Sequence, residues 1–165
     1  MRTNTIVLAF VVSLVGGAYV AAHDGASAPA PQSAGSQLGT WKLNETKSKL
    51  DAGAAKNTMV VYASSGDSVK VTVDGVDGAG QPTHTEWTGK FDGKPYPIKG
   101  GPLADSRAYT AVDDHTLSFV EKKGTTTTNS GRIVVAADGK TRTVDATATD
   151  SKGMKVNTHA VYDKQ

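Results

Sequence analysis

Ser68-Val69-Lys70-Val71-Thr72-Val73-Asp74 alternates apolar and polar residues along its central part. Successive side chains of a β-strand point to opposite faces, so this period of two predicts a strand with one buried and one solvent-facing side. Comparable segments recur to the end of the chain, separated by short turns rich in Gly, Asp and Asn. The alternation therefore predicts an all-β protein.

The turns between these segments are tight, which makes consecutive strands antiparallel neighbours. A long meander exposes two edges unless it closes on itself. The sequence thus predicts an antiparallel up-and-down meander closed into a barrel of about eight to ten strands. A two-sheet sandwich is the alternative, although it usually needs longer crossover loops. The predicted strands are residues 39–44, 58–63, 68–74, 83–91, 107–112, 116–121, 125–135, 141–149 and 155–162, with a short edge piece at 94–98 that its two prolines limit.

The N-terminus has the three parts of a signal peptide. Arg2 is the positive residue, residues 6–15 are apolar, and small residues occupy 20–22. The apolar run is about half the roughly 20 residues that a membrane-spanning helix needs. We expect cleavage after Ala22, with Ala21 as the alternative, and hence a periplasmic or secreted protein without a membrane span after processing. Residues 23–38, rich in Ala, Ser, Pro and Gly, are predicted to be a disordered linker, and 39–165 to be one domain.

Composition narrows the possible partners. The chain has no Cys, so no disulfide framework supports the fold. Lys and Arg total 18 against 16 Asp and Glu, without a basic cluster interleaved with aromatic residues. This balance argues against a nucleic-acid partner. The oligomeric state does not follow from the sequence.

Gly39 and Trp41 on the first predicted strand resemble the opening of lipocalins and their calycin relatives, in which the Trp packs across the closed end of the barrel. The domain also resembles small secreted bacterial proteins of unassigned function, in the phrases at 39–44, 91–97 and 138–141. The resemblance implies that Trp41 is a structural plug. It also implies that the barrel carries a small, mostly apolar ligand and performs no chemistry.

The candidate ligand-binding residues are Trp87, Phe91, Arg107 and Tyr109. Arg107 and Tyr109 are two apart, hence on one face of a strand, and together suit a ligand carboxylate. The alternative is an exposed Arg107 beside a Tyr at the core edge, which the usual exposure of charged residues favours. Small residues on the last strands favour a cavity. Aromatic side chains closing the interior are the other possibility.

Signals for metal binding and catalysis are weak. His84 and Glu86 share one strand face, but zinc needs three or four ligands, so we predict no metal site and no cofactor. The chain contains no nucleophile elbow, zinc-protease motif or phosphate-binding loop, and we do not expect an enzyme. Two hypotheses remain: an exported barrel that binds a small apolar or amphipathic ligand, or a cell-envelope structural or interaction module with a filled barrel.

Overall fold

Antiparallel strands make up most of the structure, a computed structural model that describes residues 34–165. The predicted signal peptide and the first part of the predicted linker lie outside these residues. A short 3-10 helix (Ala34–Ser36) precedes the strands, which are β1 (Gly39–Leu43), β2 (Lys49–Leu50), β3 (Lys56–Ser65), β4 (Ser68–Val76), β5 (Pro82–Gly89), β6 (Tyr96–Lys99), β7 (Ser106–Ala111), β8 (Thr116–Lys123), β9 (Thr126–Val135), β10 (Thr141–Thr149) and β11 (Lys155–Lys164). No helix within 34–165 is long and apolar enough to cross a membrane.

The sheet closes because β1 pairs with both β3 and β11. The other strands from β3 to β11 follow one another in chain order, so the barrel is a meander of ten strands. The two-residue β2 lies outside this count and pairs with β11 at Thr158 and His159. The predicted all-β closed meander is confirmed, and the two-sheet alternative is wrong.

Alternation decides which side chains enter the barrel. In β4, Val69, Val71 and Val73 are buried while the residues between them are partly exposed. Gly66 begins the two-residue loop between β3 and β4 with a φ of 63°. Glycine adopts that left-handed conformation without steric cost, which suits a tight hairpin. The buried apolar core comprises Trp41, Leu43, Val60, Tyr62, Val69, Val71, Val73, Trp87, Tyr109, Leu117, Phe119, Ile133, Val135, Ala160 and Tyr162.

The proline-containing segment is not an edge, contrary to the prediction. Its strand β6 pairs with β5 through Ile98 and Lys99 and with β7 through Tyr96 and Pro97. Closure of the barrel leaves no edge for it to occupy. The prolines instead limit β6 to two paired residues on each side.

The end of the predicted linker also differs from expectation, because residues 34–38 pack on the barrel. Gln37 is buried, and its Nε2 donates to the backbone oxygen of His115 at 3.1 Å. The Ser36 hydroxyl donates to the backbone oxygen of Asp114. Polar side chains in this segment thus bind carbonyl groups of the turn between β7 and β8, which composition alone does not reveal.

Candidate functional site

Arg107 lies inside the barrel and forms an ion pair with Glu121. The two side chains are 10% and 13% exposed. Arg107 Nε donates to Glu121 Oε1 at 2.6 Å, Nη2 contacts the same oxygen, and Nη1 donates to Tyr109 Oη at 3.0 Å. The alternative of an exposed Arg107 is therefore wrong. The carboxylate that Arg107 binds is Glu121, its cross-strand neighbour, and each of its three guanidinium nitrogens already has a partner.

Burial alone would lower the pKa of Arg107, but the carboxylate of Glu121 raises the pKa above its ordinary value overall. Burial raises the pKa of Tyr109, although the charge of Arg107 opposes this effect. The network continues in both directions: Tyr62 Oη lies 3.2 Å from Tyr109 Oη, and Asn129 Nδ2 donates to Glu121 Oε2 at 3.0 Å. The barrel interior thus contains a connected network of polar side chains, in which the opposite charges of Arg107 and Glu121 neutralise each other.

Trp87 and Phe91 lie against Tyr109, as members of an aromatic cluster. The ring centroids of Trp87 and Tyr109 are 4.9 Å apart, and those of Phe91 and Tyr109 are 5.5 Å apart. Trp87 Nε1 donates to the backbone oxygen of Arg107 at 2.9 Å. The structure thus brings all four predicted site residues together, but the rings of Trp87 and Phe91 pack within the core.

A second arginine, Arg142 on β10, was missed by the sequence analysis. It is 2% exposed, and its guanidinium carbon lies 5.0 Å from the ring centroids of Trp41 and Tyr62 and 4.7 Å from that of Tyr162. Its Nε and Nη1 have no hydrogen-bond partner among the described residues. The sequence contained a signal for its interior position, because Arg142 shares its strand face with Val144, Ala146 and Ala148.

Two adjoining cavities lie in the barrel interior. The cavity lined by charged side chains, called the polar cavity below, has a volume of about 50 Å³. The cavity lined mostly by aliphatic side chains, called the apolar cavity below, has a volume of about 90 Å³. The lining of the polar cavity includes Arg107, Tyr109, Glu121 and Arg142. Neither Trp87 nor Phe91 lines either cavity. The residues shared by both linings are Asn57, Phe119, Asn129, Val144 and Tyr162, and the apolar cavity adds Leu50, Ala54, Ala55, Ala146, Ala148, Val156 and Thr158.

Trp41 is fully buried beside the polar cavity. Its Nε1 donates to the backbone oxygen of Gln37 at 2.8 Å, and Lys164 Nζ lies 5.1 Å from its ring centroid. The indole thus joins β1 to the segment that packs across this end of the barrel. A plugging role for Trp41 remains a prediction, with its test below.

His84 and Glu86 have separate partners on the outer surface. His84 Nδ1 lies 2.6 Å from Asp74 Oδ1, and Glu86 Oε1 lies 2.6 Å from Lys70 Nζ. Within residues 34–165, no group of three or more His, Cys, Asp or Glu side chains is placed to hold a metal ion.

Tyr162 gives the barrel a predicted sensitivity to alkaline pH. Burial raises its pKa to about 12, while nearby Arg142 lowers it. A tyrosine in the unfolded chain ionises near pH 10. The contribution of buried, neutral Tyr162 to the stability of the fold is therefore complete below pH 10 and is lost as pH rises through about 12. As pH rises from about 10 to about 12, the parent should therefore lose about 2–3 kcal/mol more stability than Tyr162→Phe, which has no ionisable group at this position. Urea unfolding of both proteins at several pH values measures the difference, and identical pH profiles would contradict it.

Comparisons with known proteins leave the family open. No protein-family model matches the chain, and no curated protein matches it. A solved structure, EF1p2_mFAP2b bound to DFHBI, is similar with 12% sequence identity and a TM-score of 0.46 over 82% of this chain and 98% of that chain. A likeness of this degree says nothing about what the present chain binds.

Proposed function

We propose that this protein is an exported barrel that binds a small amphipathic molecule in its interior and has no catalytic activity. The observation that carries the proposal is a pair of interior cavities with shared lining residues, one of them lined by charged side chains and the other mostly by aliphatic ones. Pockets that bind small molecules commonly combine apolar walls with a few placed polar groups. The Gly39 and Trp41 resemblance to lipocalins supports the same type of function.

The order of side chains along β10 predicts the orientation of the ligand in the barrel. Arg142 and Val144 line the polar cavity, whereas Val144, Ala146 and Ala148 line the apolar one. Residues two apart on a strand are separated by about 7 Å. A ligand would therefore place its polar group near Arg142 and Trp41, and its apolar part towards Ala148.

Cavity size limits the ligand to a short chain. Both cavities are small compared with the roughly 300 Å³ at which drug-sized pockets begin. About 10–15 Å³ is enough for one water molecule, so the space accepts several non-hydrogen atoms without rearrangement. Octanoate, with a carboxylate and a seven-carbon tail, is a suitable probe of the proposed site.

Filling the apolar cavity should weaken ligand binding. We expect octanoate to bind the mature protein and Ala146→Leu to weaken binding at least about tenfold, because the added methyl groups occupy the space of the tail. Ala108→Leu is the matched control, since Ala108 lines a groove of about 230 Å³ on the outer face of β7 and β8. Isothermal titration calorimetry measures both. Absence of binding of both octanoate and the uncharged octanol to the parent, or weakening by Ala108→Leu alone, would refute the proposed site.

The second candidate function is a structural or interaction module of the cell envelope. The specific observation in its favour is the small volume of both interior cavities and the aromatic packing around Trp87. A barrel of this kind would present its outer surface to a partner. Failure of both octanoate and octanol to bind would leave this candidate as the better explanation.

Export to the periplasm or the exterior is proposed from Arg2, the apolar residues 6–15 and the small residues 20–22. Expression of the full chain in a bacterium, followed by cell fractionation and mass spectrometry, tests it. We expect a product that begins at His23 outside the cytoplasm. An uncleaved chain in the cytoplasm would contradict export.

A further inference from the structure

We propose that Arg142 binds the carboxylate of the ligand, which makes the ligand a short-chain aliphatic carboxylic acid. This inference rests on the proposed function, since it names the chemical class that the interior site accepts. Arg142 is almost fully buried, and its Nε and Nη1 atoms have no hydrogen-bond partner within residues 34–165.

The charges inside the barrel do not cancel. Among the described residues, the lining of the polar cavity holds two arginines, Arg107 and Arg142, and one carboxylate, Glu121. Both carboxylate oxygens of Glu121 already accept hydrogen bonds, Oε1 from Arg107 and Oε2 from Asn129. One positive charge therefore remains, and an unpaired buried charge is strongly unfavourable. A bound anion would remove this cost.

The aromatic rings around Arg142 stabilise it only in part. Trp41, Tyr62 and Tyr162 attract the guanidinium through their π faces at 4.7–5.0 Å. Such rings neither accept hydrogen bonds at Nε and Nη1 as a carboxylate does nor carry a compensating charge. They hold the guanidinium in place, and a carboxylate can then form short, charge-assisted hydrogen bonds with it.

The polar cavity also offers a partner for a ligand with a neutral head group. Asn129 Oδ1 is buried without a hydrogen-bond donor among the described residues, and Asn129 lines both cavities. An alcohol could donate to this oxygen, whereas a carboxylate could not. Octanoate and octanol therefore separate the two chemistries, because they share the same tail length and differ in the head group.

The test compares octanoate and octanol by calorimetry at pH 7.5, where octanoate is ionised. We expect the parent to bind octanoate on the order of tenfold more tightly than octanol. Arg142→Met should remove this preference while octanol binding persists. The matched control is Arg132→Met, which removes an exposed arginine from the neighbouring strand β9 and should leave the preference unchanged.

A second measurement keeps the inference testable if Arg142→Met does not fold. The nuclear magnetic resonance signal of the Arg142 Nε–H group in the parent should shift on addition of octanoate and much less on addition of octanol. Equal affinity for the two probes, or an unshifted Nε–H signal with bound octanoate, would overturn the carboxylate assignment while the proposed function stands. Failure of both probes to bind would overturn the proposed function itself.

Discussion

Replacement of Trp41 with alanine should destabilise the barrel by about 3–5 kcal/mol, the usual range for truncating a buried aromatic residue. The indole is fully buried, donates to Gln37 and lies against the guanidinium of Arg142. The variant therefore loses packing, a hydrogen bond and a cation–π contact together. A loss of this size is a large share of the roughly 5–15 kcal/mol that stabilises a typical domain.

The control for Trp41 is His84→Ala on the outer face of β5. Its partner Asp74 is also exposed, so we expect a change of about 0.5 kcal/mol or less. Urea unfolding followed by circular dichroism gives both values. Equal midpoints for Trp41→Ala and the parent would mean that Trp41 does not plug the barrel.

Removal of the interior carboxylate should have an effect of similar size. Glu121→Leu leaves Arg107 charged and buried without its partner, and breaking a buried pair in this way costs about 3–5 kcal/mol. The double variant Arg107→Met/Glu121→Leu should recover much of this loss, because apolar residues of similar volume replace both charges. The free energies of unfolding of the single and double variants measure the recovery.

A matched control for Glu121 is Asp67→Asn, which removes an exposed carboxylate paired with Lys90. Solvent screens such a surface pair, so we expect little change in stability. If Glu121→Leu were as mild as Asp67→Asn, the interior ion pair would not contribute to the folded state as described.

The sequence predicts most of the fold because strand alternation and tight turns are local signals. β4 shows this clearly, with its valines inside the barrel. Closure of the barrel was predictable, because an open meander would expose two strand edges. The same closure gives β6 a neighbouring strand on both sides, which the prediction of an edge piece overlooked. The packing of Gln37 depends on carbonyl groups far along the chain, and composition carries no such information.

The site was less predictable because it depends on strand register and on exceptions to average burial. Arg107 and Glu121 are cross-strand partners, a pairing that the hairpin between β7 and β8 sets. The general rule that arginine is exposed favoured the wrong alternative for Arg107, although this residue was named as a candidate, and Arg142 was not considered at all. Alternation along β10 placed Arg142 on the same face as Val144, so this residue was within reach of the sequence analysis.

The central claim is that a small amphipathic molecule binds inside the barrel. Isotope-filtered nuclear Overhauser measurements on the complex with octanoate test it most directly, since they report which methyl groups touch the tail. We predict contacts from the octanoate methylene groups to the methyl groups of Ala146, Ala148 and Val156, which line the apolar cavity. Contacts confined to Ala108 and Val120 in the outer groove would place the ligand outside the barrel and contradict the claim.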